Sequence, residues 1–161
     1  MANEVDILKK ECSNSSIELN FIIVNKKTSV KLFNQEGQAL VNVAPGTVID
    51  CDITETWRNE ETGYITKEYY IVCQAAKVGM PVPTKLTLFL NIGTDLKKDE
   101  ENAKELIKLT YKLCHLFYNV SGATKVPAAL QYANALQRHH NLTGNKLPKS
   151  NLVAKSGLYY I

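Results

Sequence analysis

With 161 residues, 45% of them apolar, and 19 Lys and Arg against 16 Asp and Glu, the chain has the size and composition of one globular domain. Its longest apolar runs, such as Phe21 to Val24, are too short to cross a bilayer, and the composition fits neither disorder nor a fibre. The net charge of +3 is unevenly placed: all 16 acidic side chains lie at or before Glu105, so residues 1–105 carry −4 and residues 106–161 carry +7. The last third therefore attracts anions, although a basic face that meets only solvent accounts for the charge equally well.

The opening residues mix Glu4 and Asp6 with Val5, Ile7 and Leu8, without the basic start and apolar core of a secretory leader, which predicts an intracellular protein. Cys12, Cys51, Cys73 and Cys114 form no C-x-x-C pair, and in a reducing compartment they read as small buried hydrophobes.

In chain order, Val5, Ile7, Leu8 and Cys12 predict a short helix over residues 3–12, broken by Ser13-Asn14-Ser15-Ser16. Residues 17–24 end in a continuous β-branched run that suits a strand entering a sheet interior, and a basic segment, Asn25 to Lys31, follows. Gln35-Glu36-Gly37 and Ala44-Pro45-Gly46 are turns, and residues 47–53 read as a short strand carrying Asp50 and Asp52. A charged hairpin is expected between Thr54 and Lys67, then strands at Tyr69 to Cys73 and Leu86 to Leu90.

Residues 95–118 carry the best helical pattern. Ala103, Leu106, Ile107, Thr110, Leu113, Cys114 and Phe117 repeat at steps of three and four, and Asp99, Glu100 and Glu101 load the first turn with charge that suits the helix dipole. A second helix opens at Val126-Pro127 and runs to about Arg138, with Leu130, Ala133 and Leu136 as its apolar stripe, and residues 141–161 read as mostly irregular. Strands followed by helices imply an α/β layer architecture with a mixed sheet.

Asp50, after a likely turn and strand, is a carboxylate that could hold Mg²⁺ or meet only solvent; the basic half offers it no second carboxylate. His139 and His140 are adjacent, so on a helix they point about 100° apart and do not chelate one ion. His115 and Cys114 diverge for the same reason and form no nucleophile pair. No glycine-rich phosphate cradle occurs. Lys26, Lys27 and Lys31, and Lys125 at a helix entrance, could position phosphates or line solvated loops.

The stretch from Leu109 to Asn119, followed by Val126-Pro127-Ala128-Ala129-Leu130-Gln131-Tyr132-Ala133, resembles the C-terminal part of the PIWI domain of Argonaute-family proteins, nearest the Piwi branch. Phe21 to Phe33, Pro45 to Asp50 and Leu158 to Ile161 agree in order and spacing, so the resemblance spans about residues 3–161. It implies a ribonuclease H-like α/β fold, C-terminal portion only, that holds a single-stranded guide RNA and its target RNA in gene silencing. Competent members cut the target with an Asp-Glu-Asp-His set and Mg²⁺ or Mn²⁺.

The resemblance puts Asp50 at the second Asp and Asn134 at the His position, and assigns the first Asp and the Glu to sequence that would precede Met1. It thus implies a binding fragment without cleavage, or an endonuclease completed by another chain that supplies the missing half, or a gene fragment without function. It further implies guide-backbone contacts at Lys26, Lys27, Lys31, Gln74, Lys85, Lys125, Gln131 and Tyr132, and places the Ile161 carboxylate near the guide's 5′ phosphate. Two features depart from the family pattern: Lys85-Leu86 after Pro83-Thr84, and the length of the Thr54 to Lys67 hairpin.

Overall fold

A computed structural model describes residue 7 and residues 20–58, 64–91 and 96–142. The expected helix over residues 3–12, apart from Ile7, and the whole of the tail beyond residue 142 lie outside the described residues, as do Cys12 and Ile161.

Five strands form one sheet: β1 (Phe21–Asn25), β4 (Val48–Ile49), β5 (Thr56–Arg58), β6 (Tyr64–Ile71) and β7 (Thr84–Asn91), in the order β1-β7-β6-β4 with β5 also on β6. Each pairing among the described residues is antiparallel, so the expectation of a mixed sheet narrows to an antiparallel one here. A separate hairpin joins β2 (Phe33–Glu36) to β3 (Ala39–Asn42) through Gly37, whose φ of +62° suits a residue without Cβ. Two helices follow, α1 (Leu96–Leu113) and α2 (Ala128–Leu142).

Alternation along β6 and β7 sets the layers. Tyr69, Ile71 and Cys73, with Leu86 and Leu88, form one buried cluster with Ala103, Ile107 and Cys114 of the α1 segment, and Ile22 and Val24 of β1 pack against it. The register places Tyr69 opposite Leu86, and Val24 and Ile22 opposite Leu86 and Leu88, so three strands present matching apolar side chains to one helix. Val72 joins Leu32 and Val43 in a second cluster with Val30 and Ile49. Phe21 and Phe89, also cross-strand partners, meet edge to face at 5.7 Å.

The ends of the elements differ from the sequence pattern for identifiable reasons. The expected strand over residues 47–53 is only Val48–Ile49, because the chain turns out at Asp50, with Ile53 N–H bonded to Cys51 C=O at 2.7 Å and Asp52 at φ +60°. Helix α1 stops at Leu113 rather than Tyr118: the Cys114 carbonyl accepts from Thr124 N–H at 2.8 Å and Thr124 Oγ1 at 3.1 Å, and the next amides make tight bonds to Lys112 and Leu113. Pro127 precedes α2 rather than opening it, its carbonyl accepting from Leu130 and Gln131.

Candidate nucleic-acid interface

Antiparallel pairing brings the C-terminal ends of β1 and β6 and the N-terminal ends of β4 and β7 to one end of the sheet. The loops there are tied to one another. Thr28 Oγ1 donates to Pro83 C=O at 2.8 Å, Asn42 Nδ2 donates to Gly79 C=O at 2.8 Å, and Thr84 Oγ1 donates to Lys125 C=O at 2.8 Å. Gly46 N–H reaches Val72 C=O at 2.7 Å, and Val72 N–H reaches Thr47 C=O at 3.0 Å. Gly46 sits at φ +90°, where any residue with a Cβ is strained, and a Cβ there would rest in ordinary contact with the Tyr111 ring of α1 at 3.5 Å.

These tethers collect Lys26, Lys27 and Lys31 from the loop after β1, Gln74 and Lys77 from the loop after β6, and Lys125 before α2. Lys26, Lys27, Lys31 and Lys77 are exposed, and Gln74 and Lys125 are half-buried. Residues 25–35, 72–84 and 106–142 contain no Asp or Glu, so no carboxylate within these segments offsets the lysines. A cleft of about 360 Å³ lies here, lined by Gln74, Ala76, Lys77, Met80, Val82 and Lys125 among others. Lys77 was not singled out from sequence, although its place in an acid-free loop between two strong strands is the signal that would have found it.

Of the other expected contacts, Lys85 is engaged elsewhere. Its Nζ lies 2.5 Å from Glu68 Oε1, a cross-strand ion pair in which Glu68 is buried, and that hydrogen bond holds the Lys85 ammonium above the usual lysine range. Gln131 and Tyr132 are half-buried on α2; the Tyr132 ring lies 5.2 Å from Phe117, and its hydroxyl accepts from Tyr118 N–H at 3.1 Å. The stripe expected at Leu130, Ala133 and Leu136 is displaced: Leu130 and Ala133 are exposed, whereas Ala128, Gln131, Tyr132, Ala135, Leu136, His139 and His140 are the covered positions.

Asp50 is exposed where the chain leaves β4, and Asn134 is exposed on α2. Cys51, expected to be buried, is exposed, its thiol donating to Asp52 Oδ2 at 3.6 Å; Cys73 and Cys114 are buried as expected. That bond and the neighbouring negative charge push the Cys51 thiol up. Among the described residues no group of three or more His, Cys, Asp or Glu side chains is placed to hold a metal ion. Asp50 and Asn134 therefore do not fit a divalent-metal centre by themselves, and no chemical step is derived through one. His115 is exposed, with its Nδ1 3.0 Å from Tyr111 C=O, and faces away from buried Cys114.

One group near Asp50 is out of balance. The Tyr69 hydroxyl is buried and has no hydrogen-bond partner among the described residues, and burial, then the charges of Asp50 and Glu100, push its pKa up to about 12. Tyr69→Phe removes an unsatisfied polar atom and is expected to raise stability by roughly 1 kcal/mol in urea denaturation at pH 7. The wild-type hydroxyl keeps its proton more tightly when folded, so its titration costs stability as pH rises from 10 towards 12; Tyr69→Phe lacks that alkaline slope. Equal stability and equal slopes for the two proteins would refute this.

The fold and the basic loop end define a ribonuclease H-like α/β domain with a surface suited to a polyanion. The Piwi domain family model matches residues 1–142. Piwi-like protein 1 of Gallus gallus is 35% identical over 159 residues, covering 98% of this chain and 16% of its own length. Piwi-like protein Siwi of Bombyx mori is 34% identical over 139 residues, 84% of this chain and 14% of its own. The crystal structure of Drosophila Piwi superposes with a TM-score of 0.65 at 28% identity, over 99% of this chain and 20% of that one. The chain belongs to the Piwi domain family, and it spans about a sixth of the length of the chicken relative.

Proposed function

We propose that this chain is a nucleic-acid-binding portion of a small-RNA-guided silencing protein, gripping a single-stranded guide RNA through its phosphates at the loop end of the sheet. The observation that carries the reading is the tethered group of Lys26, Lys27, Lys31, Lys77 and Lys125 on segments without acidic residues. Lysines supply point charges to phosphate oxygens, and Gln74 adds a neutral donor beside them. Family membership supports the guide as the ligand; Gln131, Tyr132 and the Ile161 carboxylate enter through the resemblance, the last as a neighbour of the guide's 5′ phosphate. No cleavage is assigned to Asp50 and Asn134.

The test is binding of single-stranded RNA, with and without a 5′ phosphate, by the purified chain across a salt series. Affinity is expected to fall steeply and linearly on a log-log plot, with a slope near −0.7 for each phosphate neutralised. A soluble monomer whose RNA affinity is absent or indifferent to salt would overturn the reading. Indifference to the 5′ phosphate would remove the chain end from it and leave the lysine surface.

A further inference from the structure

The loop after β1 presents a hydroxyl in the middle of its lysines, and the binding surface described above makes no use of it. From Lys27 to Leu32 exposure alternates: Lys27, Ser29 and Lys31 are exposed, whereas Thr28 and Val30 are half-buried and Leu32 is buried. The inward side chains fix that alternation, since Thr28 Oγ1 donates to Pro83 C=O at 2.8 Å and Val30 packs on the cluster of Leu32, Val43 and Val72. A further bond shapes the start of the loop, with Lys27 N–H donating to Asn25 Oδ1 at 3.1 Å. Ser29 is therefore turned to solvent between two outward lysines, each two residues away, or about 7 Å along an extended chain.

We propose that Ser29 is a phosphorylation site for a protein kinase that selects its substrates by paired basic residues, and that the phosphate releases RNA from the lysine surface. Lys26 and Lys27 lie three and two residues before the hydroxyl, and the apolar Val30 lies directly after it. A kinase of this class lines its peptide groove with carboxylates, which pair with cations at those two positions. The Ser29 Oγ attacks the γ-phosphorus of ATP, the bond from that phosphorus to the bridging oxygen of ADP breaks, and the hydroxyl proton passes to a carboxylate of the kinase. The neighbouring hydroxyl, on Thr28, is half-buried and already donates to Pro83, which leaves Ser29 as the acceptor.

The release rests on the lysine surface being the RNA site, and it follows from charge. Residues 25–35 hold Lys26, Lys27 and Lys31 and no Asp or Glu, so a phosphate on Ser29 is the first negative charge of the segment. Phosphoserine carries about −1.5 to −2 at pH 7 and therefore offsets up to roughly two of these lysines. Its oxygens accept from the flanking ammoniums, and cations held in that way are no longer available to displace counterions from RNA.

The test uses the full chain, incubated with magnesium, ATP and the catalytic subunit of cyclic-AMP-dependent protein kinase, a kinase of this class, and then mapped by peptide mass spectrometry. The expected result is a phosphate on Ser29 and none on Thr28, with affinity for single-stranded RNA about tenfold lower near 100 mM salt and a salt slope flatter by about 1. Phosphatase treatment restores both. Ser29→Ala, treated with the same kinase, keeps the affinity of the unmodified protein. A folded chain left without phosphate at Ser29 would overturn the proposal, as would a chain phosphorylated there whose RNA affinity is unchanged. Mapping the phosphate needs no RNA, so failure at Ser29 is distinct from failure of the binding reading, which shows as an unmodified chain that does not bind.

Discussion

Replacing Lys26, Lys27 and Lys31 together by Ala is expected to weaken single-stranded RNA binding by at least about tenfold near 100 mM salt and to flatten the salt slope by about 2. The reasoning is electrostatic. Each lysine is exposed on a segment without acidic residues, and the bond from Thr28 to Pro83 holds that segment against the loop carrying Lys77. Removing three cations removes three sites from which an RNA phosphate displaces counterions, so affinity and slope fall together. A loss of affinity at unchanged slope would mean that the loop had been disturbed rather than discharged. Lys104→Ala is the control: it lies on α1, beside Glu100 at 3.7 Å, and its loss is expected to change neither quantity.

Much of the fold was legible because it rests on periodicity. The alternation of Tyr69, Ile71 and Cys73 and the three-and-four spacing of Ala103, Ile107, Thr110 and Cys114 are the two faces that meet in the core, and both could be read from sequence. The hairpin of β2 and β3 was legible only as its turn. Its residues are almost all exposed, so no burial pattern marks the strands, and Gly37 is the one local signal. The stripe of α2 was misplaced because its covered face includes Gln131 and Tyr132, residues that a hydrophobic pattern assigns to solvent.

The candidate site was legible in its residues and not in its geometry. The basic segment after the first strand, the helix entrance and the family resemblance pointed to Lys26, Lys27, Lys31 and Lys125, yet nothing local in the sequence says that Thr28 reaches Pro83, 55 residues away, or that Thr84 reaches Lys125. Such bonds follow from strand order, which is a long-range property. Lys85 shows the converse: a lysine at a motif position reads as a phosphate contact until the register sets Tyr70 opposite it and brings the Glu68 carboxylate to its ammonium.

That pair carries the largest expected effect on stability. Lys85→Met leaves the Glu68 carboxylate, in a residue only 6% exposed, without its cation, and is expected to cost about 3 kcal/mol in urea denaturation at pH 7. Glu68→Gln costs less, about 1 to 2 kcal/mol, because the Lys85 side chain keeps 28% of its surface exposed and its ammonium can turn to water. The double variant Glu68→Leu, Lys85→Met buries no charge and is expected to recover most of the loss, since the attraction of a buried pair largely offsets its own desolvation. The pH dependence has a fixed sign. Lys85 binds its proton more tightly in the folded chain, so its contribution is full below the ordinary lysine value of 10.5 and fades as pH rises past it. Lys85→Met should lack that alkaline loss. A Lys85→Met protein within 0.5 kcal/mol of wild type would show that water, rather than Lys85, satisfies Glu68, and would return Lys85 to the surface available for phosphate.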